Sequence, residues 1–359
     1  MTAVPNGKMI EIARHIRGVT QKGLASDLKI TQSTLSKLER GEFGVSDATA
    51  KQISKILDFP HSFFYQTEVR TPISNIYFRK RASISQKDLD RIIGDVNVVL
   101  KSIDYLLEEI EITEYPKYKF DISEGWTPQT VATRMREILR MPSGPINEPI
   151  KLLEELGIIV FLYDCKEMKF DGLTAYTDNG VPVIFVNKNM PNDRIRFTLG
   201  HELCHLVCHI PCDIEPWRDF ETEANQFPGE FYMPTKDCKS DLQRLTYNNL
   251  TGLKAFWGLS KAAIIYKAKS AGFISEATYK YMMIELGRRN ERKSETGFVE
   301  IDNPTTLKQI VDLLRTEVGY SQEDIAEKLC IGVSDYRRLF DPPPASELKA
   351  KVKFMKRAI

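Results

Sequence analysis

Hydrophobic positions recur at helical spacing over most of the chain. Between Thr20 and Gly41 they fit two short helices joined by a tight turn, with Thr20 and Thr31 as N-caps and Gly41 ending the second helix. The same spacing continues on both sides of this pair and then predicts one long helix over residues 85–112. Residues 8–66 are therefore predicted to be a run of short helices.

Apolar runs of a different kind interrupt this pattern in the middle of the chain. Ile158–Leu162 and Val181–Val186 are short and β-rich, and Asn179–Gly180 before the second run is typical of a hairpin turn. Two further helices are predicted over Arg194–Ile210 and Phe220–Glu230. A few strands among many helices favour an α+β fold that is mostly helical over a parallel α/β sheet.

The length of 359 residues corresponds to two or three domains. A polar segment over 67–84, which contains the basic cluster Arg79–Lys80–Arg81, is interpreted as a connector. The predicted organisation has four parts: a helical domain over 1–67, the connector and long helix over 68–120, an α+β domain over 121–290, and a helical C-terminal region over 291–359.

Composition narrows the functional classes. The 50 basic and 49 acidic residues leave a net charge of +1, so any binding of nucleic acid must come from a local patch. The longest apolar runs are far shorter than the ~18–20 residues that cross a bilayer, and residues 1–20 lack the apolar core of a signal peptide. We therefore expect a soluble, cytoplasmic protein without a membrane partner.

The helix pair over 20–41 has the composition of a DNA reader. A helix in the major groove needs short polar side chains that bond to base edges, while the preceding helix contacts phosphates. The predicted base-contacting residues are Gln32, Ser33, Thr34, Ser36 and Lys37, and the predicted phosphate contacts are Gln21 and Lys22.

These residues resemble the Cro/repressor (XRE) family of helix-turn-helix domains across roughly residues 8–66. The matching pieces are TQ–LA–L, ITQSTLSKLERG and SFFY. The resemblance implies a five-helix, lambda-repressor-like domain that binds a double-stranded DNA operator and pairs Arg14 with Glu39. Lys29 stands where the family usually has Gly, at a backbone cost if its φ is positive. The alternative is a generic helix bundle for protein contacts.

A repressor of this type is also expected to be a homodimer, because paired half-sites lie about one helical turn apart. The candidate dimer surfaces are the long helix over 85–112 and the helices over 305–340.

Residues with metal chemistry are concentrated in the segment RIRFTLGHELCHLVCHI. His201 and His205 are four residues apart, so their side chains differ by ~40° around a helix and can reach one metal ion. Glu202 lies to the side, where it can accept a proton from water. Such a pair needs a third ligand, commonly a carboxylate from a following helix.

The wider constellation looks like the ImmA/IrrE family of metallopeptidases over about residues 125–290. The resemblance implies a zincin-like domain with a small sheet, Zn²⁺ held by His201, His205 and Glu223, and Glu202 as general base or acid. Glu221 is the alternative third ligand. The matching pieces are Gly144–Pro145–Ile146, Gly157–Val160, Asn187, Arg196–Leu199, and the helix ETEANQF followed by Met233–Pro234.

Three positions depart from the family pattern. Gly200 stands where the family usually has Ala, and Cys204 stands where it has Gly. Pro228 replaces an Ala after Phe227, and a proline inside the ligand-bearing helix is expected to kink or end it. These changes bear on catalytic strength more than on metal binding.

Two features are left outside the main motifs. Cys204, Cys208 and Cys212 recur every four residues, which favours helix packing, with a redox-sensing thiol near the metal as the alternative. Residues 319–340 echo the first helix pair but lack its Gln/Ser/Thr set. An intramolecular or dimer-forming helical pair is therefore favoured there over a second DNA reader.

The leading hypothesis is a zinc-dependent endopeptidase fused to an XRE DNA-binding domain. Family resemblance implies a protein substrate of the repressor or antitoxin type, in stress, phage or toxin–antitoxin regulation. The rival is a transcription factor whose metallopeptidase-like half only senses a ligand or partner, and a third option is an interaction scaffold. The operator sequence, the substrate and the inducing signal are not encoded in any motif of the sequence.

Overall fold

The computed structural model describes residues 4–68, 84–109, 118–165, 170–212, 218–292 and 294–341. These residues form two compact units. The first unit takes its described residues from 4–68, 85–109 and 307–341, and the second takes them from residue 84 and 118–306. The predicted basic cluster Arg79–Lys80–Arg81 lies outside the described residues.

No helix in the described ranges combines the length and the apolar character that crossing a membrane requires.

The first unit begins with five short helical segments. Side chains of Asn6, Thr20, Thr31 and Ser46 accept hydrogen bonds from backbone N–H groups and so start the four α-helices. The segments are α1 (Gly7–Arg17), α2 (Gln21–Asp27), α3 (Gln32–Glu39), α4 (Asp47–Leu57) and a 3₁₀-helix (His61–Tyr65).

A buried ion pair ties these helices together. The Arg14 guanidinium donates from Nε to Glu39 Oε1 at 2.7 Å and from Nη2 to Oε2 at 3.1 Å, and both residues are buried. The geometry is bidentate, the strong form of this interaction. Lys29 in the turn between α2 and α3 has a φ of 56°, so the expected backbone cost applies.

The long helix α5 (Gln86–Leu106) packs against α1 within the same unit. A Cβ added at Gly94 would lie 2.8 Å from Ile16 Cγ1, so the glycine permits the close contact of the two helices. Every residue over 94–100 is buried. Much of the surface that the sequence offered for a dimer is therefore covered within this unit.

The second unit is mostly helical and contains one small sheet. Its helices before the sheet are α6 (Pro128–Ile138) and α7 (Pro149–Glu155), and its strands are β1 (Ile159–Tyr163), β2 (Gly172–Tyr176) and β3 (Pro182–Asn187). The helices after the sheet are α8 (Asn192–Cys204), α9 (Phe220–Ala224), α10 (Phe227–Tyr232), α11 (Thr235–Gln243), α12 (Leu250–Trp257), α13 (Lys261–Ser270) and α14 (Glu276–Arg288).

The sheet has the order β1-β3-β2, with β3 parallel to β1 and antiparallel to β2. The register places Phe185 opposite both Phe161 and Leu173. The predicted turn joins β2 to β3, with Gly180 at a φ of 83°. The predicted hairpin turn implied a strand before it, but the residues of β2 were not located from the sequence. All six residues of β3 are buried, because α8 covers the sheet.

The last helices return to the first unit: α15 (Thr306–Thr316), α16 (Gln322–Lys328) and α17 (Val333–Phe340). The chain just before them stays with the second unit, where Asp302 accepts hydrogen bonds from the backbone of Ile150 and Lys151. The compact units therefore divide the predicted connector and C-terminal parts differently: α5 and 307–341 join the helix-turn-helix, and 291–306 joins the α+β unit.

Candidate metal centre and nucleic-acid interface

Helix α8 carries the first histidine and the adjacent glutamate into the interior of the second unit. His201 and Glu202 are 5% and 4% exposed. The helix then continues as a π-turn over His205–His209, in which the N–H of Ile210 donates to the carbonyl of His205 at 2.9 Å. Such π-turns are rare and occur frequently at functional sites.

Three ligand atoms converge at this point. The Nε2 atoms of His201 and His205 lie 3.0 Å apart, and each lies 3.6 Å from an oxygen of Glu221. Among the residues the structure describes, these three form the group whose ligand atoms all lie within 4.8 Å of one another. Two imidazoles and a carboxylate are a donor set typical of zinc.

The environment keeps these groups in the protonation states that a cation requires. Burial lowers the pKa of His205 to about 4. Burial opposes ionisation of Glu221, but its interactions with the neighbouring imidazoles of His201 and His205 outweigh burial and lower the pKa of that carboxyl. His201 Nδ1 lies 3.0 Å from Asn225 Oδ1, and donation to that amide oxygen leaves its Nε2 lone pair facing the cluster.

The structure does not bring Glu223, the third ligand predicted from the sequence, to the histidine pair. Its Oε2 lies 3.3 Å from His209 Nε2, and its Oε1 accepts hydrogen bonds from Arg218 at 2.8 and 3.0 Å. Residues two apart on a helix point in nearly opposite directions. Because the short helix α9 turns Glu221 toward His201 and His205, Glu223 faces away, and Glu221 replaces it in the candidate ligand set.

Two residues of the edge strand β2 shape the surroundings of Glu202: Thr174 hydrogen-bonds to it, and Gly172 leaves space for it. The Thr174 hydroxyl donates to Glu202 Oε2 at 2.9 Å. A Cβ at Gly172 would lie 2.6 Å from Thr198 Cγ2 and 3.3 Å from Glu202 Oε1, so only glycine fits there. Neither residue was found from the sequence, because the GLTAY strand carries no motif and its contact with α8 is purely tertiary.

The first unit presents the predicted DNA-contacting residues on α2 and α3. Lys22, Gln32 and Ser33 are exposed, whereas Thr34, Ser36 and Lys37 are partly buried. Gln21 donates to Glu39 Oε2 at 2.8 Å and accepts from Gln32 Nε2 at 3.3 Å. The buried ion pair thus orients Gln21, which in turn contacts the first residue of α3.

Both halves of the chain match known families. Residues 10–64 match the helix-turn-helix family, and residues 153–269 match the IrrE N-terminal-like domain, a peptidase family. The chain is a fusion of these two domains. No curated protein and no solved structure matches it. The second match spans His201, Glu202, His205 and Glu221, so the chain joins a DNA-binding domain to a metallopeptidase-like domain.

Two departures of the IrrE-like domain from its family pattern face each other. A Cβ added at Gly200 would lie 3.2 Å from Pro228 Cβ and 2.8 Å from Tyr232 Cε2. Pro228 stands in the first turn of α10, and the ligand-bearing segment breaks between α9 and α10, in agreement with the expected effect of the proline. The small residue on α8 therefore makes room for the larger one on α10.

The cysteines of the IrrE-like domain support the packing interpretation. Cys204 and Cys208 are fully buried in the core. Burial raises the pKa of the Cys204 thiol well above its usual value, which suppresses the reactive thiolate.

A cavity of about 1140 Å³ adjoins the cluster in the same domain. Its lining includes Asn225, the residue that hydrogen-bonds to His201, together with the aromatic side chains of Phe197, Tyr266 and Phe298. It offers room for a bound molecule, and Asn225 connects its wall to the candidate ligand His201.

We expect Gly200→Ala to lower the free energy of unfolding by about 1–3 kcal/mol, because the new methyl group overlaps Tyr232 and crowds Pro228. Chemical denaturation of the purified protein measures this loss. In the Pro228→Gly background the same change should cost less, since both Pro228 atoms within 3.3 Å of the new methyl group are gone.

Gly229→Ala is the matched control, because the nearest atom to its added Cβ would be Lys267 Cδ at 3.9 Å. Equal losses at positions 200 and 229 would contradict the steric explanation.

Proposed function

We propose that the protein is a cytoplasmic DNA-binding regulator with a zinc-dependent endopeptidase domain that cleaves another protein. The resemblance to ImmA/IrrE proteins suggests a substrate of the repressor or antitoxin type, in stress, phage or toxin–antitoxin regulation. The observation that carries the proposal is that ligand atoms of His201, His205 and Glu221 converge, and that Glu202 directly follows His201 in the chain.

The donor set fits zinc. His201, His205 and Glu221 would hold the ion, and three protein ligands leave a position open for catalysis. When bound, zinc supplies a Lewis acid that polarises a carbonyl. The role assigned to Glu202 is to accept the proton of the attacking water and deliver it to the leaving amine. Thr174 fixes one carboxylate oxygen of Glu202 for that transfer.

Strand β2 gives a substrate peptide a place to bind. It is the edge of the sheet, and no other strand pairs with its outer side in the described part of the chain. An extended peptide can add to such an edge through backbone hydrogen bonds. Since Gly172 lies against Glu202, a peptide on this edge would pass the catalytic carboxylate.

The DNA-binding half of the proposal places α3 in the major groove. Gln32, Ser33, Thr34, Ser36 and Lys37 would contact bases, and Gln21 and Lys22 would contact phosphates of a double-stranded operator. A homodimer remains part of the proposal, because operators of such domains consist of paired half-sites. Since 94–100 is buried within the chain, the dimer contact would use other surfaces.

We expect purified protein to bind about one zinc ion per chain, measured by elemental analysis after dialysis. Glu221→Gln should lose most of the zinc, because it removes a ligand. Glu223→Gln should retain it, because glutamine keeps an oxygen that can face His209 Nε2. Glu202→Gln should keep the zinc and lower cleavage of a quenched-fluorescent peptide library by about 10²–10⁴-fold.

Glu223→Gln is the matched control for Glu221→Gln, being two residues away on the same helix. Zinc loss confined to the Glu223 variant would restore the ligand set predicted from the sequence. Peptide cleavage that survives Glu202→Gln would contradict the assigned proton transfer. A zinc-loaded wild-type protein that cleaves no peptide would favour the rival hypothesis, in which the metallopeptidase-like half only senses a ligand or partner.

For the DNA half, we expect Gln32→Ala and Ser33→Ala to relax the sequence preference of an operator selected from a random duplex library. Lys22→Gln should instead weaken all sequences alike and reduce the slope of log affinity against log salt by about 1. Fluorescence anisotropy at several salt concentrations measures both effects. If the two classes of variant behave identically, the placement of α3 in the groove is wrong.

A further inference from the structure

His209 is a buried polar residue to which the proposed mechanism gives no role. It lies at the end of the π-turn, one turn beyond His205, and is 3% exposed. Its Nδ1 atom lies 2.8 Å from His205 Nδ1. Its Nε2 atom lies 3.3 Å from Glu223 Oε2. This contact lacks hydrogen-bond geometry, and neither buried atom has a hydrogen-bond partner in the described residues.

In the row formed by His205, His209 and Glu223, the positions of the protons follow from which ring nitrogens donate and which accept. If His205 offers its Nε2 lone pair to a metal, its proton sits on Nδ1 and is donated to His209 Nδ1. His209 must then carry its own proton on Nε2, which faces Glu223. Arg218 holds the other oxygen of Glu223 through two hydrogen bonds, so the end of the row is fixed.

We infer that His209 and Glu223 are positioning residues that fix the ring orientation and the tautomer of His205, an inference that rests on the proposed metal site. Outer partners of this kind raise the basicity of a ligating histidine and change metal affinity by about 10–100-fold. The glutamate that the sequence offered as a ligand thus acts on the metal through two imidazoles.

The test compares His209→Phe with His209→Gln in the full-length protein, using zinc affinity measured by competition with a chelator. Phe keeps the ring volume and removes the hydrogen bond to His205 and the polar contact with Glu223, so the dissociation constant should rise about 10–100-fold. Gln can accept from His205 and donate to Glu223, so its dissociation constant should stay within about threefold of the wild type. The absorption bands of the cobalt-substituted protein should shift for Phe and stay for Gln.

Cys208→Ala is the control for packing, because Cys208 is an equally buried neighbour. Wild-type zinc affinity in His209→Phe, or equal losses in the Phe and Gln variants, would overturn the inference. A wild-type protein that binds no zinc would overturn the metal site itself and the inference with it.

A second, independent inference concerns the C-terminal helices. Residues 306–341 repeat the helix-turn-helix at a constant offset of 301, from Thr20 and Ser321 onward. Corresponding residues along the repeat are Arg14 and Arg315, Gly18 and Gly319, Gln21 and Gln322, Leu24 and Ile325, Ala25 and Ala326, Leu28 and Leu329, and Leu38 and Leu339.

The backbone and the internal ion pair repeat as well. Lys29 and Cys330 occupy the same turn position, with φ angles of 56° and 53°. Arg315 lies 3.0 Å from Asp341 Oδ2, to which Gln322 also donates at 3.1 Å. This reproduces the arrangement of Arg14, Gln21 and Glu39, with the carboxylate one residue later in the chain.

The surface that would face DNA has changed. Glu323 replaces Lys22, and Val333 replaces Gln32, so a phosphate contact becomes repulsive and a base contact is lost. Helix α17, the second helix of the repeated pair, instead forms ion pairs with α1 and α5 of the same unit. Asp335 accepts from Arg17 at 2.7 and 2.9 Å, and Arg338 donates to the buried Asp95 of α5 at 2.7 and 3.0 Å.

We propose that residues 306–341 are a second helix-turn-helix that has lost DNA reading and holds the first copy on the long helix. The partner of its recognition helix is this chain's own α1 and α5. Removing Arg338 would take two charge-assisted hydrogen bonds from Asp95, which is 1% exposed, and weakening the pairing of a buried charge is destabilising.

The matched variants are Arg338→Gln and Arg337→Gln, neighbours on α17. Both side chains are exposed, but Arg337 donates to Gln322, whereas Arg338 donates to the buried Asp95. Arg338→Gln should lower the Tm of the full-length protein by several degrees, and Arg337→Gln should leave it unchanged within a degree or two. Neither should weaken binding to a 30-base-pair random duplex at low salt, measured below the transition, whereas Lys22→Gln should.

An unchanged Tm in Arg338→Gln would overturn the bracing role. Weakening of duplex binding by Arg337→Gln as large as that by Lys22→Gln would show that the second copy still contacts DNA.

Discussion

The close contact between α8 and α10 at Gly200 is the constraint on which the candidate metal centre depends. Glu221 precedes α10 by only a few residues, so the distance between these helices sets how near its carboxylate comes to His201 and His205. A bulkier residue at 200 would push α10 outward, since Pro228 and Tyr232 already fill the space. The Glu221 side chain is only 22% exposed beside this contact, and partial burial strengthens its interaction with a cation.

The sequence predicted what depends on local spacing. Periodicity placed the helix-turn-helix and the HExxH helix, and the ending of the ligand-bearing helix near Pro228 followed from the chemistry of proline. The sequence favoured Glu223 over Glu221, whereas the structure places Glu221 beside His201 and His205, because that choice depends on how α9 is rotated relative to α8. Strand β2 was missed for a similar reason: its five residues alternate weakly, and it is stabilised by β3 and α8.

Domain membership was harder to predict than local structure. The helix α5 and residues 307–341 join the N-terminal helices through ion pairs between residues hundreds of positions apart, such as Arg17 with Asp335. No periodic pattern encodes such a partner, because the same charges would suit a solvated surface equally well. Burial decides the matter, since Asp95 and Asp335 are almost inaccessible and each requires a cation beside it.

The two polar clusters, Arg14 with Glu39 in the first unit and His201, His205 and Glu221 in the second, differ in their charged groups. In the first unit, Glu39 receives two hydrogen bonds from Arg14, so that pair contains its own cation. In the second unit, the Nε2 atoms of His201 and His205 each lie 3.6 Å from an oxygen of Glu221, and no Lys or Arg is part of that group. Two imidazoles and a carboxylate are a donor set typical of zinc. The first cluster is therefore an ion pair that stabilises the fold, whereas the second has the donor set of a candidate metal site.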